Sequence, residues 1–216
     1  MGSNWLPASN PDAMELAAEA LGQGLVVALP TDTVYGLAVD QSQPQAVERL
    51  FALKERPRDV AIPVLIGTQD QAELVAGRLE GAAEALTGRY WPGPLTVVVP
   101  RGDRFAADLG GPSSSRHLVG MRWPDHPIVE RLCRALGPLA VTSANPHGVG
   151  PATTAQAVRE AFADRGELGV IIDGGVCDGT PSTVVECLGV AVRCLRAGAL
   201  PWGEIVGAWP GGSPSE

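Results

Sequence analysis

The stretch Leu29–Asp40 reads LPTDTVYGLAVD, and a second informative segment, Lys54–Asp59 (KERPRD), follows it. The first stretch begins at the end of Leu25–Leu29 (LVVAL), a short apolar run that predicts a strand buried on both faces. Hydroxyl groups follow at Thr31, Thr33 and Tyr35. They lie at the carboxyl end of the predicted strand, where open α/β sheets bind ligands. An ordinary turn with capping hydroxyls is the alternative interpretation.

The second segment carries an unusual cation. Lys54 is the only lysine in 216 residues, whereas arginine occurs fifteen times. An ammonium is a compact point charge that suits a phosphate, and Arg56 and Arg58 extend the cluster. The competing explanation is structural. Pro57 ends the helix predicted over Pro44–Leu53, so Lys54 lies in its last turn. A cation there interacts favourably with the negative end of the helix dipole.

Composition bounds the class of protein. A chain of 216 residues with 45% hydrophobic content fits one globular domain. No apolar run is long enough to span a bilayer and the first residues do not form a signal peptide, so we expect a cytoplasmic protein with no membrane partner. The net charge of −8 disfavours a protein whose main task is to grip nucleic acid. Any anion must be held by a local cluster of cations.

The cysteines predict no metal site. Cys133, Cys177, Cys187 and Cys194 form no C-x-x-C pair, and the three histidines lack ligand spacing with them. We therefore expect free thiols, most of them buried.

Short apolar strands alternating with amphipathic helices predict one twisted α/β domain over residues 1–202, with a flexible tail over 203–216. Asn10 should cap a first helix that ends at Gly22 or Gly24, and Thr153 should cap a late one. The other predicted helices are 69–76, 81–86, 127–136 and 154–162. The other predicted strands are 62–66, 95–99, 118–121, 139–141, 170–173, 183–187 and 190–195.

Several predicted strands end at small polar side chains or at arginine. These are Thr142, Ser143, Asn145, Ser182, Thr183, Arg122 and Arg196. Such groups can hold phosphate, ribose or a zwitterion. The glycine-rich fingerprints of common nucleotide-binding loops are missing from the sequence. A hydrolase pair of Ser143 and His147 is disfavoured, because no carboxylate is placed to orient the histidine.

Seven segments, taken in order, resemble the YrdC/Sua5 family of threonylcarbamoyl-AMP synthases: LPTDTVYGLAVD, KERPRD, YWPGPLTVVVP, VGMRWPDHP, TSAN, PSTVVE and LRAGAL. The resemblance covers about Leu25–Leu200. It implies a YrdC-like fold, an open twisted mixed α/β sheet with flanking helices in one domain and a positive concave face. It also implies synthesis of L-threonylcarbamoyladenylate and pyrophosphate from L-threonine, bicarbonate or CO2, and ATP. A tRNA threonylcarbamoyl-transfer complex would use the product to modify adenosine 37 (t6A).

The resemblance also implies roles for individual residues. Lys54, Arg56, Ser143 and Asn145 match the K-x-R and S-x-N set and would be catalytic and hold ATP. Arg196 would contact the nucleotide, and Arg58 is an additional cation beside it. Thr33, Arg122 and Ser182 would hold threonine, in a pocket that Thr31, Tyr35 and Val141 complete. Mg2+ would accompany the triphosphate, with Asp32 as a candidate for placing it, and no other metal site is predicted.

The sequence departs from the family pattern in the segment after Lys54. Val60 and Leu65 stand where many relatives carry asparagine and histidine, and we expect Arg58 to compensate. The chain resembles the short, single-domain form. Three alternatives stay open: a YciO-like paralogue with weak or different nucleotide-dependent activity, an RNA-binding YrdC-type module, and an accessory role in carbamoyl transfer. For the synthase itself, the expected partners include a weak contact with tRNA.

Overall fold

The computed structural model describes residues 4–146, 148–163 and 168–209. The described strands are β1 (Asn4–Pro7), β2 (Val26–Leu29), β3 (Gly36–Asp40), β4 (Val64–Leu65), β5 (Leu95–Pro100), β6 (Leu118–Arg122), β7 (Leu139–Ser143), β8 (Leu168–Asp173), β9 (Thr183–Leu188) and β10 (Ala191–Arg196). The described α-helices are α1 (Ala13–Gly22), α2 (Pro44–Lys54), α3 (Gln69–Ala76), α4 (Ala82–Tyr90), α5 (Pro127–Leu136), α6 (Ala155–Ala161) and α7 (Trp202–Ala208). A 3-10 turn covers Ser113–Ser115.

These strands form one open mixed sheet in the order β1-β8-β2-β3-β7-β4-β6-β5-β9-β10. The pairs β1/β8, β2/β8, β4/β6 and β5/β9 are parallel, and the other neighbours are antiparallel. The mixed sheet with flanking helices confirms the predicted α/β class.

The core has two parts, and strand β2 contributes to both. Val26 and Ala28 belong to one buried cluster, whereas Val27 and Leu29 belong to the other. Successive side chains of a strand point to opposite faces of a sheet. The continuously apolar run is therefore buried on both sides, as the sequence predicted. The four cysteines are free and three of them are buried, also as predicted.

Two predicted helix caps are wrong by one or two residues. The amide of Asp12 donates to Asn10 Oδ1 at 2.9 Å, so Asn10 closes a turn and Asp12 precedes the helix. Thr154, not Thr153, caps α6, because its Oγ1 accepts from the amide of Ala157 at 3.1 Å.

The sequence analysis missed β1, β3 and the last two residues of β7. Strand β3 pairs with β7 through Gly36 opposite Ser143. A Cβ at Gly36 would lie only 2.7 Å from Val141 Cγ1, so this close approach of the two strands requires glycine. The hydroxyl-rich segment between β2 and β3 is thus the turn of a hairpin in the middle of the sheet.

The first part of the predicted tail is helical in the structure. Helix α7 crosses the proposed boundary at position 202, and Ile205 is completely buried. Positions 210–216 lie outside the described residues, and the boundary itself stays a prediction. In the part of the chain that the structure describes, no helix is long and apolar enough to cross a membrane.

Candidate active site

A cavity of about 810 Å³ lies on the sheet between the β2–β3 turn, the end of β7 and the faces of β5, β6 and β9. Most of the predicted site residues line it: Thr31, Thr33, Tyr35, Arg56, Arg122, Val141, Ser143, Asn145, Ser182 and Arg196. Lys54 and Arg58 are not part of its wall. The fold therefore gathers residues that are up to 165 positions apart in the sequence around one space, and their ligand roles stay predictions.

Arg122 is the most firmly held cation of the cavity. Its Nε donates to the carbonyl of Gly93 at 2.9 Å, its Nη1 to Thr33 Oγ1 at 2.9 Å, and its Nη2 to the carboxylate of Asp32. Burial lowers the pKa of Arg122, and the charge of Asp32 opposes that effect. A guanidinium has five N–H donors. Three fix the side chain, and two remain to face a carboxylate.

The hydroxyls of Thr31 and Tyr35 serve the protein itself. Thr31 Oγ1 donates to the carbonyl of Val34 at 2.7 Å and lies 3.0 Å from Thr33 Oγ1. Tyr35 donates to the carbonyl of Gly175 at 2.9 Å, and burial raises its pKa to about 12. These two residues shape the turn, so Thr33 is the hydroxyl that the turn presents beside Arg122.

Ser182 and Arg196 line the same cavity and contact each other. Arg196 Nη2 donates to the Ser182 carbonyl at 2.7 Å and to its Oγ at 3.1 Å. Ser182 Oγ also lies 2.8 Å from Thr96 Oγ1. Thr96 lines the cavity and was not predicted, although it is the only polar residue in the apolar run of β5. A Cβ at Gly198 would overlap the main chain of Pro181 and Ser182, so glycine permits this contact.

Asn145 also lines the cavity, with a side-chain acceptor that has no partner among the described residues. Its Nδ2 donates to the carbonyls of Pro146 and Val149. Its Oδ1 is buried, and the described residues offer it no hydrogen-bond partner. A buried acceptor without a partner destabilises the fold by about 1–3 kcal/mol. A donor on a bound ligand would satisfy it.

Lys54 supports the main chain near Asn145. The side chain is buried, and Nζ donates to the main-chain carbonyl of Ser143, two residues before Asn145. Burial, and then the charge of Arg56, lowers the pKa of Lys54 to about 8. The lone lysine thus connects the end of α2 to the end of β7. A direct contact with phosphate stays a prediction.

Arg56 and Arg58 have different surroundings. Arg56 lines the cavity and donates from Nε to the carbonyl of Val60 at 2.8 Å. Arg58 instead pairs with Glu48 at 2.6 Å and lies 4.3 Å from the centre of the Phe51 ring.

Arg58 therefore lies outside the cavity wall, and its predicted role in holding the nucleotide stays a prediction. Its compensation for the departures at Val60 and Leu65 also stays a prediction, and in this structure Arg58 pairs with Glu48 and Asp108.

The cations of the site influence one another. The charge of Arg196 contributes to the lowered pKa of Arg56, and the charge of Arg122 to that of Arg196, in each case after desolvation. Asp32 is the carboxylate that pairs directly with this cluster. A chain with a net charge of −8 therefore holds a local concentration of positive charge, which favours anionic ligands.

The described residues contain no group of three or more histidine, cysteine, aspartate or glutamate side chains that could hold a metal ion. The carboxylate of Asp32 is occupied by Arg122 and does not fit the proposed role of placing Mg2+. His147, the partner in the disfavoured hydrolase pair, lies outside the described residues.

The fold and site define an α/β protein with a cationic, hydroxyl-lined cavity on a mixed sheet. The Sua5/yciO/yrdC family model, described as telomere recombination, matches residues 19–198. The chain belongs to the Sua5/YciO/YrdC family, as the resemblance predicted.

Named relatives support this assignment. The chain is 37% identical over 194 residues to the threonylcarbamoyl-AMP synthase of Pyrococcus abyssi, covering 89% of this chain and 56% of that protein. It thus spans little more than half of that relative's length. It is also 37% identical over 175 residues to the threonylcarbamoyl-AMP synthase of Chromohalobacter salexigens, covering 80% of this chain and 91% of that protein.

Solved structures confirm the predicted fold. The crystal structure of P. abyssi Sua5 complexed with L-threonine matches with a TM-score of 0.86 and 33% identity, over 96% of this chain and 61% of that one. E. coli YciO matches with a TM-score of 0.81 over 97% of this chain and 100% of that one. Its identity of 22% shows the shared fold alone.

Proposed function

We propose that this protein is an L-threonylcarbamoyladenylate synthase, a nucleotidyltransferase that converts L-threonine, bicarbonate or CO2, and ATP into threonylcarbamoyl-AMP and pyrophosphate. One observation carries the proposal. Arg122, Arg196 and Arg56 lie on one cavity together with the hydroxyls of Thr33 and Ser182. Proteins that share about 35–37% of this sequence over most of its length are named threonylcarbamoyl-AMP synthases.

The amino acid would bind at the Arg122 end. The two N–H donors that Arg122 does not use within the protein match the two oxygens of a carboxylate. Thr33 accepts a hydrogen bond from Arg122, and Ser182 accepts one from Arg196 on the same cavity. The P. abyssi relative, whose structure contains L-threonine, supports the assignment of this substrate.

The triphosphate would bind between Arg196 and Arg56. Both guanidinium groups line the cavity. Desolvation lowers the pKa of each, and the positive charge of a neighbouring arginine lowers it further. Negative charge placed there relieves the mutual repulsion of these groups. Asn145 Oδ1, buried without a partner in the described part of the chain, would accept a hydrogen bond from a substrate N–H or O–H group.

The reaction then needs positioning and charge neutralisation. The neutral amine of threonine attacks CO2, forming a carbamate and releasing a proton. A carbamate oxygen attacks the α-phosphorus of ATP, and pyrophosphate leaves with the electron pair of the broken P–O bond. No protein nucleophile takes part. Fixed cations around the phosphates stabilise the charge that develops, and a shared cavity brings the two substrates together.

Mg2+ belongs to this scheme as part of the MgATP substrate, since the described residues provide no protein cage for it. We propose that the product passes to a tRNA threonylcarbamoyl-transfer complex for t6A modification in the cytoplasm, with at most weak direct contact to tRNA. The net charge of −8 is consistent with weak tRNA contact, because an acidic chain repels the phosphates of RNA.

A labelled-substrate assay tests the proposal. The protein is incubated with MgATP, radiolabelled bicarbonate and either L-threonine or L-serine, and pyrophosphate and labelled adenylate are measured. Threonine-dependent release of both products is the expected result. ATP binding without turnover would instead support a YciO-like paralogue. RNA binding that weakens steeply with salt and ignores nucleotide would support an RNA-binding module.

A further inference from the structure

The cavity continues beyond the cationic cluster along the outer half of β5, β6, β9 and β10. There its wall is mostly apolar, formed by Val98, Leu118, Val184, Leu188 and Leu195. One ion pair interrupts this apolar strip. Glu186 on β9 and Arg193 on β10 are directly paired in register, and Arg193 Nη2 lies 3.0 Å from Glu186 Oε1.

Strand geometry relates this ion pair to the substrate end of the cavity. Ser182, directly before β9, and Glu186 within β9 both line the cavity and lie four residues apart. At about 3.3 Å per residue, they are roughly 13 Å apart. Ser182 contacts Arg196, one of the cations assigned to the phosphates. A nucleotide with its phosphates at Arg196 can therefore extend its base along the apolar strip toward Glu186.

The chemistry of the strip suits a purine with an exocyclic amine. A flat apolar wall packs against the face of an aromatic base, whereas polar groups at its end can contact only the edge. An ionised glutamate accepts hydrogen bonds and donates none, and its two oxygens can accept from more than one donor beside the contact of Arg193 with Oε1. The 6-amino group of adenine is a donor. The 6-oxo group of hypoxanthine or guanine is an acceptor and would be repelled.

We propose that Glu186 selects adenine nucleotides by accepting a hydrogen bond from the 6-amino group of the base. Arg193 is a positioning residue for the carboxylate. The side-chain exposures agree with these roles, because Glu186 is 16% exposed and Arg193 is 53% exposed. Both residues line the cavity, and Glu186 is the more buried of the two. This inference rests on the proposed function, since it names the base of the nucleotide substrate.

The experiment compares ATP with inosine triphosphate, which carries a 6-oxo group in place of the amine. Threonine-dependent pyrophosphate release and equilibrium nucleotide binding are both measured for the wild type and for Glu186→Gln. A glutamine amide can donate to the 6-oxo group. The variant should therefore lower the preference for ATP over inosine triphosphate by about 10- to 100-fold, in kcat/KM and in Kd.

Glu160→Gln makes the same chemical change on the exposed surface of α6 and is the matched control. It should keep the wild-type nucleotide preference. If Glu186→Gln does not fold, Glu186→Met serves as a second variant, because it keeps the length of the side chain. It should weaken the binding of ATP more than the binding of inosine triphosphate.

The two hypotheses fail in different ways. A wild-type protein that binds ATP in preference to inosine triphosphate but releases no pyrophosphate with threonine contradicts the proposed function and leaves the role of Glu186 testable by Kd. An unchanged preference in Glu186→Gln, or a wild type that binds both nucleotides equally, overturns the inference. So does a wild type that binds neither nucleotide.

Discussion

Arg122 and Asp32 form an ion pair at the wall of the cavity, with side chains that are only 7% and 15% exposed. The same guanidinium is the group that the proposed function assigns to the carboxylate of threonine. The substrate therefore meets a cation whose charge is already balanced and whose orientation is fixed by Asp32, Thr33 and Gly93. Because Asp32 is committed to this pair, Arg122 is held in place before threonine arrives.

Removing the charge of Asp32 should show how far Arg122 depends on this ion pair. Asp32→Asn should lower the free energy of unfolding by about 3 kcal/mol, because a buried guanidinium loses its counter-ion. L-Threonine should stabilise the variant more than it stabilises the wild type, since its carboxylate supplies the missing charge. Thermal unfolding with L-threonine and with L-threonine amide measures the effect. Equal stabilisation by the acid and the amide would contradict the assignment of Arg122 to the carboxylate.

Arg56 and Arg58 provide a matched pair of substitutions two residues apart. Arg56→Gln should reduce kcat/KM for ATP by about 100-fold, as expected when a charged partner of the phosphates is lost. Arg58→Gln should change it by less than about threefold, because Arg58 lies outside the cavity and its ion pairs are exposed. Steady-state kinetics at varied MgATP distinguishes the two. An equal loss in both variants would show that Arg58 does act on the nucleotide.

The buried ammonium of Lys54 predicts a specific dependence of stability on pH. Its pKa is about 8 in the folded state, below the ordinary value of 10.5. Between these values the unfolded chain binds the proton and the folded chain does not, so stability from this group rises as pH increases from about 8 toward 10.5. Below pH 8 the contribution stays at its minimum.

Denaturant unfolding of the wild type and Lys54→Met, from pH 7 to pH 9.5, measures this dependence. The difference in unfolding free energy should move in favour of the wild type as pH rises, by at most about 1.4 kcal/mol per pH unit. Lys54→Met should also reduce turnover, because the main chain at Ser143 loses its support. A difference that does not vary with pH would mean that the ammonium titrates as it does in water.

Helix α7 should be an integral part of the domain. Ile205 is completely buried against the core that contains Val185 and Val192. Ile205→Ala should therefore destabilise the protein by about 2–4 kcal/mol through the cavity that it creates. Val206→Ala, at a partly buried position on the same helix, should cost less than half as much. Similar effects for both variants, each below about 0.5 kcal/mol, would restore the prediction of a loose tail from position 203.

The elements predicted well from sequence are those whose signals are local. Helix α5 has the predicted bounds because its apolar residues recur with helical spacing and Pro127 and Gly137 delimit it. Strand β2 was predicted because four consecutive apolar residues leave few alternatives. Strand β3 was missed. Its Gly36 and Asp40 weaken the local pattern, and its burial comes from the neighbouring strands β2 and β7.

By itself the sequence determined the class of fold, the family, and the set of polar residues from which the site is built, because motif order and hydrophobic pattern are properties of the chain. Tertiary structure decided which way each charged side chain points. Arg58 turns toward Glu48, Lys54 toward the main chain of Ser143, and Arg122 toward Asp32. The partners that fix these orientations lie 10, 89 and 90 positions away. Electrostatic attraction and desolvation act through space, so the roles of these three cations depended on the folded arrangement of strands and helices.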